Sequence, residues 1–343
     1  MTSAQLAAMF LPRHSAMNPS HTLADGRWRA TEWVFWAVLL AAYFVFPERL
    51  VLGSQILITA LFALSLDLIL GYAGIASLGH AAFFGIGAYT AGLLAKHGMG
   101  EPLSGLALAA VAAGLVGFVV SFLIVRGTDL TRLMVTMAIG MVCYEAANKA
   151  AFITGGVDGL MGVVIPPLFD RFEFNFDGKV AYLYSLAVVF VMFWLVRRVI
   201  HSPFGLSLRG IREGGARMPA IGAPVRARLV AVFTLAAAVA GVAGGLMAQT
   251  TQFVALDSLS FSRSAELLII LVLGGAGRLY GAFVGALVFM VMQSWLSDMN
   301  PVYWQFWIGL LLVVIVLFAR GGILGGVAAL HHRLRVWAGR ADQ

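Results

Sequence analysis

Few side chains in this chain could do chemistry, and they fall within long apolar runs. Asp67, Glu145, Lys149 and Glu266 are the ionisable groups in or beside those runs, and His80 lies in a stretch rich in glycine and alanine. An ionisable group at bilayer depth is costly enough to imply a role by default. Glu145 and Lys149 stand four apart, so one helical face can bring them together as a neutralised, structural pair. Asp67 falls about a turn from the end of its run, within reach of water, and Glu266 stands close to Arg263. A proton- or sodium-driven carrier would gather several acids near the midplane, and these are few. His80 has no second clustered ionisable partner, so it reads as a packed, hydrogen-bonded residue before it reads as a base. The single cysteine, Cys143, allows neither an internal disulfide nor a thiolate cluster for metal.

The elements that carry these groups must be membrane helices. Of 343 residues, 61% are hydrophobic and 11% charged, whereas soluble domains carry about 25% charged residues. A helix needs about 20 mostly apolar residues to cross the hydrocarbon. That length predicts about ten spans, near 33–46, 51–71, 76–95, 103–125 and 133–153, then 180–196, 229–248, 265–280, 281–296 and 303–319. The runs lack the every-second-residue alternation of an outer-membrane barrel, so the fold class is all-α and polytopic. With the N-terminus inside, 17 of the 23 Lys and Arg residues fall on inner segments, 5 on outer ones, and Lys149 within a span. This asymmetry follows the positive-inside rule and places both ends in the cytoplasm. It also accounts for the net charge of +7 without nucleic acid. The expected organisation is a cytoplasmic tail over 1–32, a transmembrane domain over 33–320 and a basic cytoplasmic tail over 321–343. Residues 1–32 lack the apolar core of a secretory signal.

Four segments stand out. The first, GYAGIASLGHAAFFGIGAYTAGLLA at Gly71–Ala95, repeats small residues that let helices approach closely. A break near Gly71–Gly74 would leave backbone amides beside Ser77 and His80, and such irregular backbone is tolerated only against protein or a water-filled cavity. The second is the inner loop 201–228, with Arg209, Arg212, Arg217, Arg226 and Arg228 against Glu213. Its apolar residues Phe204, Leu206, Leu208, Ile211 and Met218 predict a short amphipathic helix starting after Pro203 and failing at Gly214-Gly215. Anionic lipid or a cytoplasmic protein could bind it. The third, TGGVDGL at Thr154–Leu160, combines the turn glycines Gly155, Gly156 and Gly159 with Asp158, an acceptor for an ammonium group or an amide. The fourth, Ser264-Ala265-Glu266 leading into LVLGGAGRLYGAFVGAL, reads as a discontinuous or re-entrant element.

Together these motifs resemble the LivM-type permease subunits of bacterial ABC importers for branched-chain amino acids. The resemblance runs from about Leu50 to Gly321 in the family's order, and the first 32 residues find no counterpart. It implies an importer subunit in the bacterial inner membrane, with glycine-broken helices around a central passage. Translocation-path candidates are Ser77, His80, Thr154, Gly155, Gly156, Asp158 and Glu266. The resemblance makes the inner loop the docking site for ATPase subunits, with Phe204, Arg209, Arg212, Glu213 and Ile221 as its coupling residues. The partners it implies are two cytoplasmic ATPases, a sister permease chain forming a heterodimer, and an extracytoplasmic solute-binding protein. The chain has no GxxxxGK[ST] phosphate loop, so ATP is expected in the partner subunits. No catalytic residue, directly bound cofactor or metal is expected here. Asp67 stands where the family commonly has asparagine, and Gly214-Gly215 replaces a more acidic stretch. An ion-coupled carrier, or an ABC permease for urea, amides or carboxylates, is the alternative.

Overall fold

A computed structural model describes residues 30–98, 101–167, 178–215 and 217–299, with scattered positions between 301 and 325. Among the described residues the regular structure is helical, apart from one isolated antiparallel bridge between Leu160 and Val254. Helix α1 spans Ala30–Val45 and ends before Pro47, which opens a single 3-10 turn, Pro47–Arg49. Helix α2, Leu50–Asp67, runs into a π-helical turn over Leu68–Tyr72. Then come α3 (Ala81–Lys96), α4 (Pro102–Ile124), α5 (Asp129–Lys149) and the one-turn α6 (Ala151–Thr154). The second half holds α7 (Lys179–Ile200), α8 (Pro203–Gly214), α9 (Val225–Thr251), α10 (Phe261–Gly274) and α11 (Gly281–Met299).

Six of these helical stretches are long and apolar enough to cross a membrane: Pro47–Tyr72, Pro102–Ile124, Asp129–Lys149, Lys179–Ile200, Val225–Thr251 and Gly281–Met299. Two expected spans are shorter apolar helices, Glu32–Val45 and Ala81–Lys96. Pro47 stops the first, because its ring and missing N–H cannot continue the ladder. The second starts late because the chain from 73 to 80 is irregular. The span expected over 265–280 is the 14-residue helix α10, about 21 Å long at 1.5 Å per residue. A turn through Gly275 and Gly277, both at positive φ, separates it from α11, so the fourth segment is discontinuous. Most of 303–319, residues 1–29 of the N-terminal tail and almost all of the C-terminal tail lie outside the described residues. The described chain is already helical at Ala30, before the boundary expected at 32.

Helix α9 is the centre of the bundle and packs against α2, α3 and α4. Small residues make this possible. A Cβ on Gly87 would strike the backbone of Gly241, and one on Gly244 would strike the carbonyl of Phe84. Backbones that close gain dispersion contact, which drives helix association where lipid supplies no hydrophobic force. Around this core, Phe35, Trp36, Phe193, Tyr280 and Phe283 form an aromatic cluster of edge-to-face and tilted pairs joining α1, α7, α11 and the turn before it. Helix α5 is peripheral, with only Thr136 and Gly140 buried. Its Glu145 and Lys149 are both exposed, and no ion pair joins them among the described residues. The expected neutralised pair is therefore not formed.

Candidate functional site

The glycine-rich break and the amphipathic helix meet at one end of the bundle. After the π turn, the Ile75 amide reaches back to the Ile69 carbonyl (3.0 Å), and Gly74 turns at φ +74°. Irregular backbone at this depth leaves polar groups that must find partners within the protein. Two charged side chains supply them. The Arg212 guanidinium of α8 donates to the Gly71 carbonyl. The Asp67 carboxylate accepts the Gly277 amide at 2.6 Å, from the turn between α10 and α11. Asp67 is completely buried, which corrects the expectation that it reaches water. The π turn continues the helix past Asp67, and the α10–α11 turn closes on its carboxylate through Gly277. Its second oxygen, Oδ2, has no hydrogen-bond partner among the described residues.

Helix α8 runs as expected, except that Pro203 is its first helical residue, and Ser202 precedes it in extended conformation. Proline at this position costs nothing because the first-turn amides lack intrahelical partners. Its apolar face, Gly205, Leu208 and Ile211, is buried against α7, α9 and the π turn. The coupling-loop candidates then separate by direction. Arg212 engages Gly71, and Arg209 lies over the Tyr72 ring at 5.5 Å. Phe204 packs on the bundle under the Arg228 guanidinium at 5.3 Å. Glu213 and Ile221 are exposed.

The path candidates fall in three places. Ser77 and His80 are fully buried within the helix packing. His80 Nε2 pairs with Ser65 Oγ at 2.8 Å, and the His80 ring stacks on Phe62. Ser77 Oγ and His80 Nδ1 have no partner among the described residues. Nearby, Ser264 of α10 accepts the Ala81 amide at 3.0 Å and so caps the start of α3.

The loop after α5 lies at the opposite end. Thr154 is buried there, donating to the Ala147 carbonyl at 2.6 Å and accepting from the Gly156 amide at 3.2 Å. Gly155, Gly156 and Gly159 all take positive φ, as their turn role requires. The Leu160 amide bonds the Val254 carbonyl (2.8 Å), tying this loop to the chain that leads into α10. Asp158 is exposed, and its carboxylate has no hydrogen-bond partner among the described residues. Glu266 is held by Arg263 at 3.1 Å. That pair borders a cavity of ≈ 30 Å³, with Thr59 and Gln293 as further polar residues and Phe62 and Phe84 among the apolar ones. This volume holds about one or two water molecules, too little for an amino acid.

A family described as the permease component of the branched-chain amino acid transport system matches residues 48–331. The chain belongs to this family. The match covers α2 to α11 and therefore both breaks and α8. Among relatives, the high-affinity branched-chain amino acid transport permease protein LivM of Salmonella typhimurium is 32% identical over 301 residues, covering 80% of this chain and 69% of that protein. LivM of Escherichia coli is 31% identical over 300 residues with the same coverage. The L-arabinose ABC transporter permease protein AraH of Azospirillum brasilense is 29% identical over 276 residues, covering 77% and 76%. No solved structure matches this chain. The protein is thus an ABC importer permease that crosses the membrane several times. Sequence reasoning named Arg212 but missed its target, along with the Asp67–Gly277 contact. An acid one turn before a glycine-rich break was the available signal.

Proposed function

We propose that this chain is one membrane-spanning half of an ATP-driven importer for branched-chain amino acids or a related small polar solute, with α8 as its mechanical input. The observation that carries this reading is the two-sidedness of α8. Its buried face rests on the bundle and its Arg212 holds the Gly71 carbonyl, while Glu213 on the helix, and Ile221 in the turn that follows it, remain exposed for a partner. ATP-driven closure of a docked subunit would shift α8, and the guanidinium would carry that shift directly to the unwound backbone. The same end carries Arg197, Arg198, Arg209, Arg226, Arg228 and Arg278, which supports a cytoplasmic location for it. The remaining assignments are two ATPase subunits on that side, a sister permease beside this chain, and a binding protein delivering solute to the Thr154–Asp158 end. ATP sits in the ATPases and no cofactor in this chain.

The ion-coupled alternative draws on Asp67, Glu266 and the glycine-broken helices. Each acid has a partner, Asp67 Oδ1 the Gly277 amide and Glu266 the Arg263 guanidinium, which favours the ATP-driven reading. The named solutes of the relatives, branched-chain amino acids and L-arabinose, set the two solute classes to compare.

The test is reconstitution. The chain, purified with its companions and placed in liposomes, should take up leucine only when ATP and the binding protein are both supplied. Uptake by the chain alone, driven by an ion gradient, would overturn the reading.

A further inference from the structure

Helices α4 and α9 cross where a Cβ on Gly114 or Gly117 would meet Ala238 or Ala237. On the α8 side of this crossing a groove of ≈ 880 Å³ opens between them. Phe118 and Phe122, edge to face at 4.9 Å, form one wall, and Ala227, Ala231 and Thr234 lie along the other. Thr234 donates its hydroxyl to the Val230 carbonyl (2.9 Å), so it adds no free polar group. The groove is therefore apolar along its length and charged only at its end, where Arg126 and Arg226 complete the lining. Both arginines are exposed. No acid pairs with either among the described residues.

We propose that this groove binds one anionic phospholipid, with its phosphate between Arg126 and Arg226 and an acyl chain against the phenylalanine wall. Three properties point to that occupant. A groove open sideways in the bilayer is filled by something apolar, and this one is matched to one leaflet. The helix from Arg226 to Ala238 rises about 18 Å, close to half of the roughly 30 Å hydrocarbon core. Two guanidiniums with no acid between them favour a phosphate, which they can bind through paired N–H donors, and basic pockets between helices at the cytoplasmic surface bind anionic headgroups. A second groove between α4, α7 and α9, of ≈ 590 Å³, shares Leu235 and Ala238 with the first but has no charged lining residue. A third groove, of ≈ 410 Å³, does carry Arg49, but with Asp298 in the same lining, so a pair of arginines without an acid is particular to the first of these three. The inference needs the chain only to span a membrane, so it stands or falls separately from the solute reading.

The experiment compares lipid retained by the full chain, extracted with its companions from membranes of phosphatidylglycerol and phosphatidylcholine and weighed intact by mass spectrometry. Retained phosphatidylglycerol should fall about tenfold or more in the double variant R126Q/R226Q, consistent with the attraction of two basic groups at the surface. It should not fall in K96Q, which removes an exposed lysine at the opposite end. Ala231→Phe should also expel the lipid by filling the groove while both arginines stay. Equal retention of both lipids in all these proteins would overturn the proposal. So would crosslinking of Ala231→Cys to a neighbouring protein chain in intact membranes, because that groove would then be an interface. Thermal unfolding of each variant separates lost binding from lost folding.

Discussion

The Arg212 guanidinium reaches from α8 to the Gly71 carbonyl, a backbone oxygen freed by the π turn at the end of α2. One turn earlier, Asp67 takes the Gly277 amide from the α10–α11 turn. A surface helix and two breaks in the bundle are therefore joined within a few residues. Nothing longer is needed to couple motion of α8 to the interior.

Removing the guanidinium should uncouple the machine. Arg212→Ala leaves the Gly71 carbonyl without its partner, and a hydrogen bond to a charged group contributes about 1.5–3 kcal/mol. ATP-dependent uptake is expected to fall about tenfold or more while ATP hydrolysis by the assembled complex continues. Arg212→Lys should recover part of the uptake. If uptake and hydrolysis fall together, α8 does not transmit through this contact.

Asp67 separates charge from acceptor. Asp67→Asn keeps an oxygen for the Gly277 amide and should leave thermal stability nearly unchanged. Asp67→Ala orphans that buried amide at a cost of about 1–3 kcal/mol, read as a lower unfolding temperature. Equal stability of the two variants would show that the hydrogen bond contributes nothing.

Glu213 is exposed on α8, so Glu213→Ala should not change the unfolding temperature. It should reduce recovery of the ATPase subunits on purification and weaken ATP-driven uptake. Unchanged recovery and uptake would move the docking surface elsewhere.

A side chain at Gly85 would run into Leu259 of the 3-10 turn Leu256–Leu259. Gly85→Leu is expected to cost about 1–3 kcal/mol through overpacking and to lower the yield of assembled protein. Full yield and activity would mean that this turn moves aside freely.

At the far end, Thr154→Val removes both the donor to Ala147 and the acceptor of Gly156. Protease cleavage in the Thr154–Leu160 loop should become faster, with little effect on α8. An unchanged cleavage rate would assign the loop's order to the Leu160–Val254 bridge instead.

Much of this was legible from composition and order. Apolar runs marked the long helices, because burial in hydrocarbon requires about 20 apolar residues whatever their neighbours. Pro203 and Gly214-Gly215 framed α8 because proline and glycine act on local backbone. The glycines at 71–74 announced a break, and the structure has one. What remained hidden was long-range. Glu145 and Lys149 have pairing sequence spacing, yet on a peripheral helix neither is drawn to the other. Asp67 lies near a helix end by counting, but its burial depends on a turn that another part of the chain covers. His80 could be read as packing or as path, and only its neighbours Ser65 and Phe62 place it inside the packing.

The sequence alone determined that this protein lives in a membrane, which family it joins and where its chain breaks, since hydropathy, motif order and the conformational limits of glycine and proline are local properties. Only the tertiary structure decided where the breaks find their hydrogen-bond partners. Gly71 and Arg212 are 141 positions apart, and Asp67 and Gly277 are 210 apart. A freed carbonyl or amide in a low-dielectric interior must be satisfied by whichever group the packing brings near, and no local pattern of residues names that group.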